Sequence, residues 1–256
     1  MRENQTYATV IMSDIRNFTG MFERFQNEDN GDFLDLIEEY YYQHLLVSEM
    51  VSSDKIYLSS TGDGILTIFM GENHCKEGYA FFLIMMKVLS KLFGEFSKKY
   101  NIEADFGLGI DCGTIWEISK KQSNKVIRTY LGSVINRTAR IEEKTKDFKT
   151  NALISGNIYS ELMEKLFPAL KGDLEKFKNN YEELLASSDD LEFVVMSKKL
   201  LMSYIFQMKL KGLSGYLSIF RILDGLYRND REFWRLIITL LGKQKAKKIK
   251  TFYYER

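Results

Sequence analysis

The sequence predicts an α+β fold, a mostly antiparallel sheet with helices packed on it. Short β-forming apolar runs alternate with longer segments of helical spacing. Several of those runs face each other across Gly-containing turns, the mark of hairpins. No Pro-rich linker, internal repeat or low-complexity tract divides the chain, which has a single proline in 256 residues. At 45% hydrophobic and 28% charged, the composition is that of a globular protein, and one domain with appendages is expected.

Residues 6–13 are nearly all apolar or β-forming and read as a central strand. Phe33, Leu36, Ile37, Tyr40, Tyr41 and Leu45 recur at helical spacing and place a helix over 33–50. Residues 56–60 and 65–69 form a hairpin around Thr61-Gly62-Asp63-Gly64. A long helix spans 75–100, and its apolar stretch 79–86 reads as core. Residues 103–110 and 114–119 read as a second hairpin around Asp111-Cys112-Gly113, which gives Asp111 a structural role. After a polar tip at 120–125 come a strand at 126–131, a helix at 133–145, a strand at 152–155 and a helix at 156–166. Residues 170–188 are charged and helix-prone, and strands follow at 191–196, 203–210 and 215–222. From Asp230 onward a helix with a basic end, 243–250, is expected, the lysines forming a solvated terminus.

Bulk properties narrow the function. A net charge of +1 supplies no strong field for nucleic acid or an acidic membrane, and neither is expected as a partner. Cys75 and Cys112 are too few for a disulfide framework or a zinc site and read as buried thiols in a reducing compartment. The polar start of the chain lacks a signal-peptide core, and no apolar stretch approaches a bilayer span, so a soluble, cytoplasmic protein is expected. His44 and His74 fall in no motif and read as bystanders.

Two aspartates stand out. Asp14 ends the first apolar strand, and Asp63 sits in the turn of the first hairpin. A carboxylate where a strand turns sharply suits a hard cation, and two that converge can hold Mg²⁺ against nucleotide phosphates. A third segment, Leu131-Gly132-Ser133-Val134-Ile135-Asn136-Arg137-Thr138-Ala139-Arg140, places Asn136 and Arg140 one helical turn apart on one face.

As a set, these segments resemble the class III nucleotidyl cyclase catalytic domain. Asp14-Ile15-Arg16-Asn17-Phe18-Thr19 is similar to its first metal motif and Gly62-Asp63-Gly64 to its second. Leu108-Gly109-Ile110-Asp111-Cys112-Gly113 resembles its glycine-rich hairpin, residues 130–140 its transition-state helix, and Lys209-Leu210-Lys211-Gly212 its C-terminal basic-glycine pair. The resemblance implies a ferredoxin-like, palm-type sheet in a cyclase domain over residues 1–222, with an insertion near 165–205 and a helical extension over 223–256. It implies two Mg²⁺ or Mn²⁺ held by Asp14, Asp63 and the carbonyl of Ile15. Backbone amides from Phe18 and Thr19 to Gly20 would cradle a phosphate, and Lys211 would contact the terminal phosphates. Asn136 would orient the ribose, and Arg140 would stabilise charge on the reacting phosphate. The family draws the metal aspartates and the Asn/Arg helix of one site from different subunits, which implies a homodimer with two composite sites.

The departures point to the substrate. Where adenylate or guanylate cyclases carry their purine-reading pair, this chain has Ser59 and Thr129, whose hydroxyls donate or accept. Tyr57 shares a strand face with Ser59 and would occupy part of a purine's volume, and Tyr40, Tyr41 and Tyr42 could add to that filling. The chain thus resembles the stand-alone pyrimidine cyclases of bacterial anti-phage defence, whose cyclic UMP or cyclic CMP triggers a separate effector. UTP is favoured over CTP. The alternatives are an adenylate or guanylate cyclase with an atypical base pocket and a non-catalytic nucleotide-sensing homologue. A further departure is Gly107, where many cyclases carry a phosphate-binding arginine; Arg16, Arg128 and Arg137 are its candidate replacements.

Overall fold

The computed structural model describes residues 5–27, 31–122, 125–168, 199–209, 216–223 and 227–255. The strands are β1 (Gln5–Arg16), β2 (Ile56–Ser60), β3 (Gly64–Met70), β4 (Asp105–Gln122), β5 (Lys125–Leu131), β6 (Ala152–Ser155), β7 (Met202–Met208) and β8 (Leu217–Ile222). The helices are α1 (Phe18–Asn27), α2 (Asp32–Val51), α3 (His74–Tyr100), α4 (Ser133–Asp147), α5 (Gly156–Leu166), α6 (Asp230–Leu241) and α7 (Lys243–Glu255). The strands join in one sheet of order β2-β3-β1-β4-β6-β8-β7, with β5 paired to β4 off this path. Every pairing is antiparallel except β4 with β6, so the mostly antiparallel α+β expectation holds.

Period-two alternation along β1 builds two different faces. Ile11, with Phe69, Ile110 and Cys112 on neighbouring strands, belongs to the main core under α2, α3 and α5. Ala8 and Val10 point the other way and join Ile68, Met70, Ile115, Tyr130 and Val134 in a second, smaller cluster. Asp14 lies on this second face, six residues after Ala8 on the same strand parity. No described helix is long and apolar enough to cross a membrane.

One predicted hairpin is absent. Residues 105–122 form a single strand that runs straight through Asp111-Cys112-Gly113. β1 pairs with it continuously from Gln5 opposite Trp116 to Arg16 opposite Asp105. Asp111 stays in mid-sheet, fully buried, because its carboxylate is satisfied there. It accepts from the Cys112 amide (2.8 Å), Ser155 Oγ (2.6 Å), Asn157 Nδ2 (2.9 Å) and Arg137 Nε (2.5 Å). The glycines of this segment serve helix packing instead of a turn: a Cβ at Gly109 would lie 2.6 Å from the Glu142 amide nitrogen and 2.7 Å from the Thr138 carbonyl of α4.

The segment after Asp230 is also broken where a single basic-ended helix was expected. Gly242, at φ 83°, turns the chain between α6 and α7. Phe233, Trp234, Leu236, Ile237 and Leu240 of α6, with Ala246 and Ile249 of α7, belong to the main core. Lys245 turns inward: its Nζ donates to the Val51 carbonyl (3.0 Å) and pairs with the buried Glu77 carboxylate (3.2 Å). The predicted helix at 170–188 and strand at 191–196 lie outside the described residues.

His44 and His74 are core residues. His44 Nδ1 donates to the Tyr40 carbonyl at 2.8 Å, and His74 Nδ1 lies 2.9 Å from Thr9 Oγ1. Burial pushes both pKa values down to about 4; beside His74 the Lys165 charge adds to the effect and Glu161 opposes it. Unfolded, each ring takes a proton near pH 6.5. Their contribution is therefore complete above pH 6.5 and is lost as pH falls toward 4, at up to about 1.4 kcal/mol per pH unit for each ring. Urea midpoints should fall across that window, and His44→Gln should flatten the fall by about one ring's share.

Candidate active site

The end of β1 is flanked by glycines. Asp14 is paired with Gly64 on β3 and with Gly107 on β4, so no side chain flanks it on either neighbouring strand. A Cβ at Gly64 would lie 3.2 Å from Asp14 Oδ1 and 2.6 Å from the Ser13 carbonyl, so only glycine lets β3 and β1 approach this closely here. The β2–β3 turn folds over the same spot. Gly62 takes φ 101°, the Thr61 amide donates to the Gly64 carbonyl (2.9 Å), and the Ile15 amide donates to the Asp63 carbonyl (3.1 Å). That last bond brings Asp63 to Asp14. The Asp14 pKa is raised, first by burial and then by the Asp63 charge, with Lys146 Nζ at 3.8 Å working the other way.

α2 holds both parts in place. The buried Tyr40 hydroxyl donates to Ser13 Oγ (2.7 Å), next to Asp14. The Tyr41 hydroxyl donates to the Gly62 carbonyl and lies 2.9 Å from Ser60 Oγ, next to Asp63. Tyr40 and Tyr41 therefore brace the strand end and the turn that carry the aspartates; Tyr42 is exposed. The Ile15 side chain is buried in the main core, which leaves only its backbone for the site. Asn17, at φ 54°, turns the chain from β1 into α1. The Phe18 ring lies against Phe22 (6.0 Å) and Phe33 (5.6 Å), so Phe18 too offers only its amide, while Thr19 is exposed in the first turn of α1.

Glu142 lies beside the candidate site, where sequence reasoning assigned it no part. A Cβ at Gly107 would collide with Glu142 Oε1, so the carboxylate of α4 fills the space left by the missing side chain. Glu142 is 5% exposed, and Oε1 has no hydrogen-bond partner among the described residues. Burial, then the Asp14 charge, pushes its pKa up to about 7. The signal was present in Gly107 itself, since an empty strand position must be filled from the helix above it. None of the candidate replacement arginines stands free. Arg16 is bonded to Asp105 (2.9 Å), Thr145 Oγ1 (3.0 Å) and the Thr150 carbonyl (2.6 Å), Arg137 to Asp111, and Arg128 to Glu117 (3.0 Å).

Asn136 and Arg140 are not brought to the aspartates of their own chain. Val134, Thr138, Ile141, Glu142 and Thr145 mark the packed side of α4. At about 100° per residue, Asn136 and Arg140 fall on the opposite side. Asn136 is exposed and Arg140 partly so, and neither makes a hydrogen bond or ion pair with the described residues. Tyr57 lies 4.7 Å, centroid to centroid, from Tyr130, on the second face of the sheet. Ser59 is half-buried two residues further along β2. Thr129 is exposed on the other face of β5, opposite Ile118 and beside the Trp116–Leu131 pair, so it does not meet Ser59 within one chain. Lys211 lies outside the described residues.

The donor set fits a hard divalent ion. Two carboxylates held together at the cost of a raised pKa, beside backbone carbonyls, are relieved by positive charge. Among the described residues no cluster of three or more His, Cys, Asp or Glu side chains is arranged for a metal, so the remaining ligands would be backbone, water and substrate.

No family model and no curated protein matches the sequence. Solved structures are similar to the chain in fold. The guanylyl cyclase Cya2 is 17% identical over 87% of this chain and 94% of its own, with TM-score 0.58. The adenylyl cyclase CyaB from P. aeruginosa is 18% identical over 85% and 94%, also at 0.58. The guanylate cyclase domain of RhGC from Catenaria anguillulae, solved in complex with GTP, is 15% identical over 85% and 97%, at 0.56. At such identities the likeness is one of fold, and the fold is that of the class III cyclase catalytic domains.

Proposed function

We propose that the protein is a nucleotidyl cyclase that converts a nucleoside triphosphate to the 3′,5′-cyclic mononucleotide and pyrophosphate in sites shared between two copies. One observation carries the reading: the Asp14–Asp63 pair lies on one side of α4, and Asn136 with Arg140 stands unpaired on the other. A single chain thus presents two half-sites facing apart, and a head-to-tail dimer would complete both. Bound Mg²⁺ or Mn²⁺ would lower the pKa of the 3′-hydroxyl and neutralise the triphosphate. Asp14 and Asp63 would hold the two ions, with the Ile15 carbonyl assisting. The amides of Phe18 and Thr19 would face a phosphate, and Lys211 the terminal ones. From the partner, Asn136 would orient the ribose and Arg140 would meet the charge that develops as the in-line attack proceeds. The solved neighbours, guanylyl and adenylyl cyclases by name, support this chemistry.

The favoured substrate is UTP, with CTP second. Support comes from the missing purine-reading pair at Ser59 and Thr129 and from Tyr57, whose ring, packed on Tyr130, would take up part of a purine's volume. The product would be a second messenger for a separate effector in anti-phage defence. The test is to incubate the protein with all four ribonucleoside triphosphates and Mn²⁺ and weigh the released product. Cyclic UMP or cyclic CMP is expected. Cyclic AMP or cyclic GMP alone would defeat the pyrimidine reading, and no cyclic product from the folded dimer would defeat the cyclase reading.

A further inference from the structure

On the outer side of α2, away from the aspartates, two adjoining hollows of about 200 and 270 Å³ share Leu92 and Glu95 and form one groove between α2 and α3. Phe252 and Tyr253 of α7 close one end. Leu36 and Leu92 supply an apolar floor. The rim carries Asp32, Asp35, Glu39 and Glu95 against Lys91 and Lys99, an acidic excess in a chain of net charge +1. Lys99 is already engaged with Asp32 at 3.2 Å.

Acidity alone would describe a solvated surface. Gln43 adds a second observation. It is 6% exposed and forms part of the groove wall. Its Nε2 donates to Glu39 Oε1, which fixes the amide orientation, because the reverse would set two acceptors against each other. The carbonyl oxygen, Oε1, is then left buried without a partner among the described residues, a cost that a donor entering the groove would remove. Asp35, Glu39 and Gln43 stand at i, i+4 and i+8 on α2, a ladder of acceptors about 6 Å apart. That interval is the reach of a four-carbon chain between two nitrogens.

We propose that this groove is a binding site for an aliphatic polyamine. The methylenes would lie on Leu36 and Leu92, and the ammonium groups would face Asp35, Glu39 and the Gln43 carbonyl, with the Tyr253 ring beside the terminal cation. An occupant here would press on the helix whose Tyr40 and Tyr41 brace Ser13 and Gly62. Any effect on cyclisation rests on the function proposed above, but binding does not, so the two fail separately.

The probe is spermidine, titrated calorimetrically into the full chain without nucleotide or metal, with magnesium chloride at matched ionic strength as control. Saturable binding is expected. The surface variant Asp35→Asn should weaken it at least tenfold, and Gln43→Met, which removes the buried acceptor but keeps the volume, should do the same, with circular dichroism confirming the fold of each. Asp14→Asn should bind as the parent does. Heat that magnesium reproduces, binding indifferent to Asp35 and Gln43, or binding lost in Asp14→Asn would each overturn the assignment.

Discussion

Replacing Asp63 by alanine should abolish cyclic-nucleotide formation, a loss of about 10³-fold or more in kcat, because the ions would then have one carboxylate in place of two. Turnover is read by product mass, with urea midpoint and sedimentation as controls. Asp63 sits in a turn held by backbone bonds from Ile15 and Thr61 and by Tyr41, none of which uses its carboxylate, so the variant should stay folded. A variant retaining more than a tenth of parental turnover would remove the metal assignment. The same geometry predicts complementation. Asp14→Ala and Arg140→Ala should each be inactive alone, and their mixture should regain activity once chains exchange, since one mixed site of two keeps both halves intact. With exchange verified by sedimentation of tagged chains, a silent mixture would rule out sites shared across α4.

The second large effect is on stability. α4 lies directly on the backbone of β4 at Gly109, where an added Cβ meets main-chain atoms of Glu142 and Thr138 and not yielding side chains. Gly109→Ala must lift the helix or bend the strand, at a cost of about 1–3 kcal/mol. The displaced helix carries Arg140 on its far side and Glu142 on its near side, so turnover should fall more steeply than stability. The checks are urea denaturation and kcat on the same preparation. An unchanged midpoint would mean that α4 does not sit this close. Gly94→Ala is the matched control, since a Cβ there meets nothing within 4 Å.

Much of this was readable in the sequence. Local patterns located β1, β2, β3, α2 and α3, because each buries a face whose period survives in the residues themselves. The convergence of Asp14 and Asp63 was readable too, since a hairpin next to a central strand brings its turn to that strand's end. What failed were positions decided by partners distant in sequence. Asp111-Cys112-Gly113 has turn composition, yet it stays extended because Ser155, Asn157 and Arg137 satisfy the aspartate from three other elements. Glu142 was missed for the same reason: Gly107 marks an empty strand position, but only the packed helix shows which side chain fills it. The lysines of α7 look like a solvated helix end until Lys245 is seen to answer Glu77.

That last contact joins segments far apart in the chain. Glu77 accepts from Ser53 and from Lys245, residues separated by most of the chain. With α7 detached, the Glu77 carboxylate would lack its cation, and breaking a pair whose acid stays buried costs about 3–5 kcal/mol. Loosening of α7 should therefore be felt in α3, which packs on β1 and β3, the strands beside the aspartate pair.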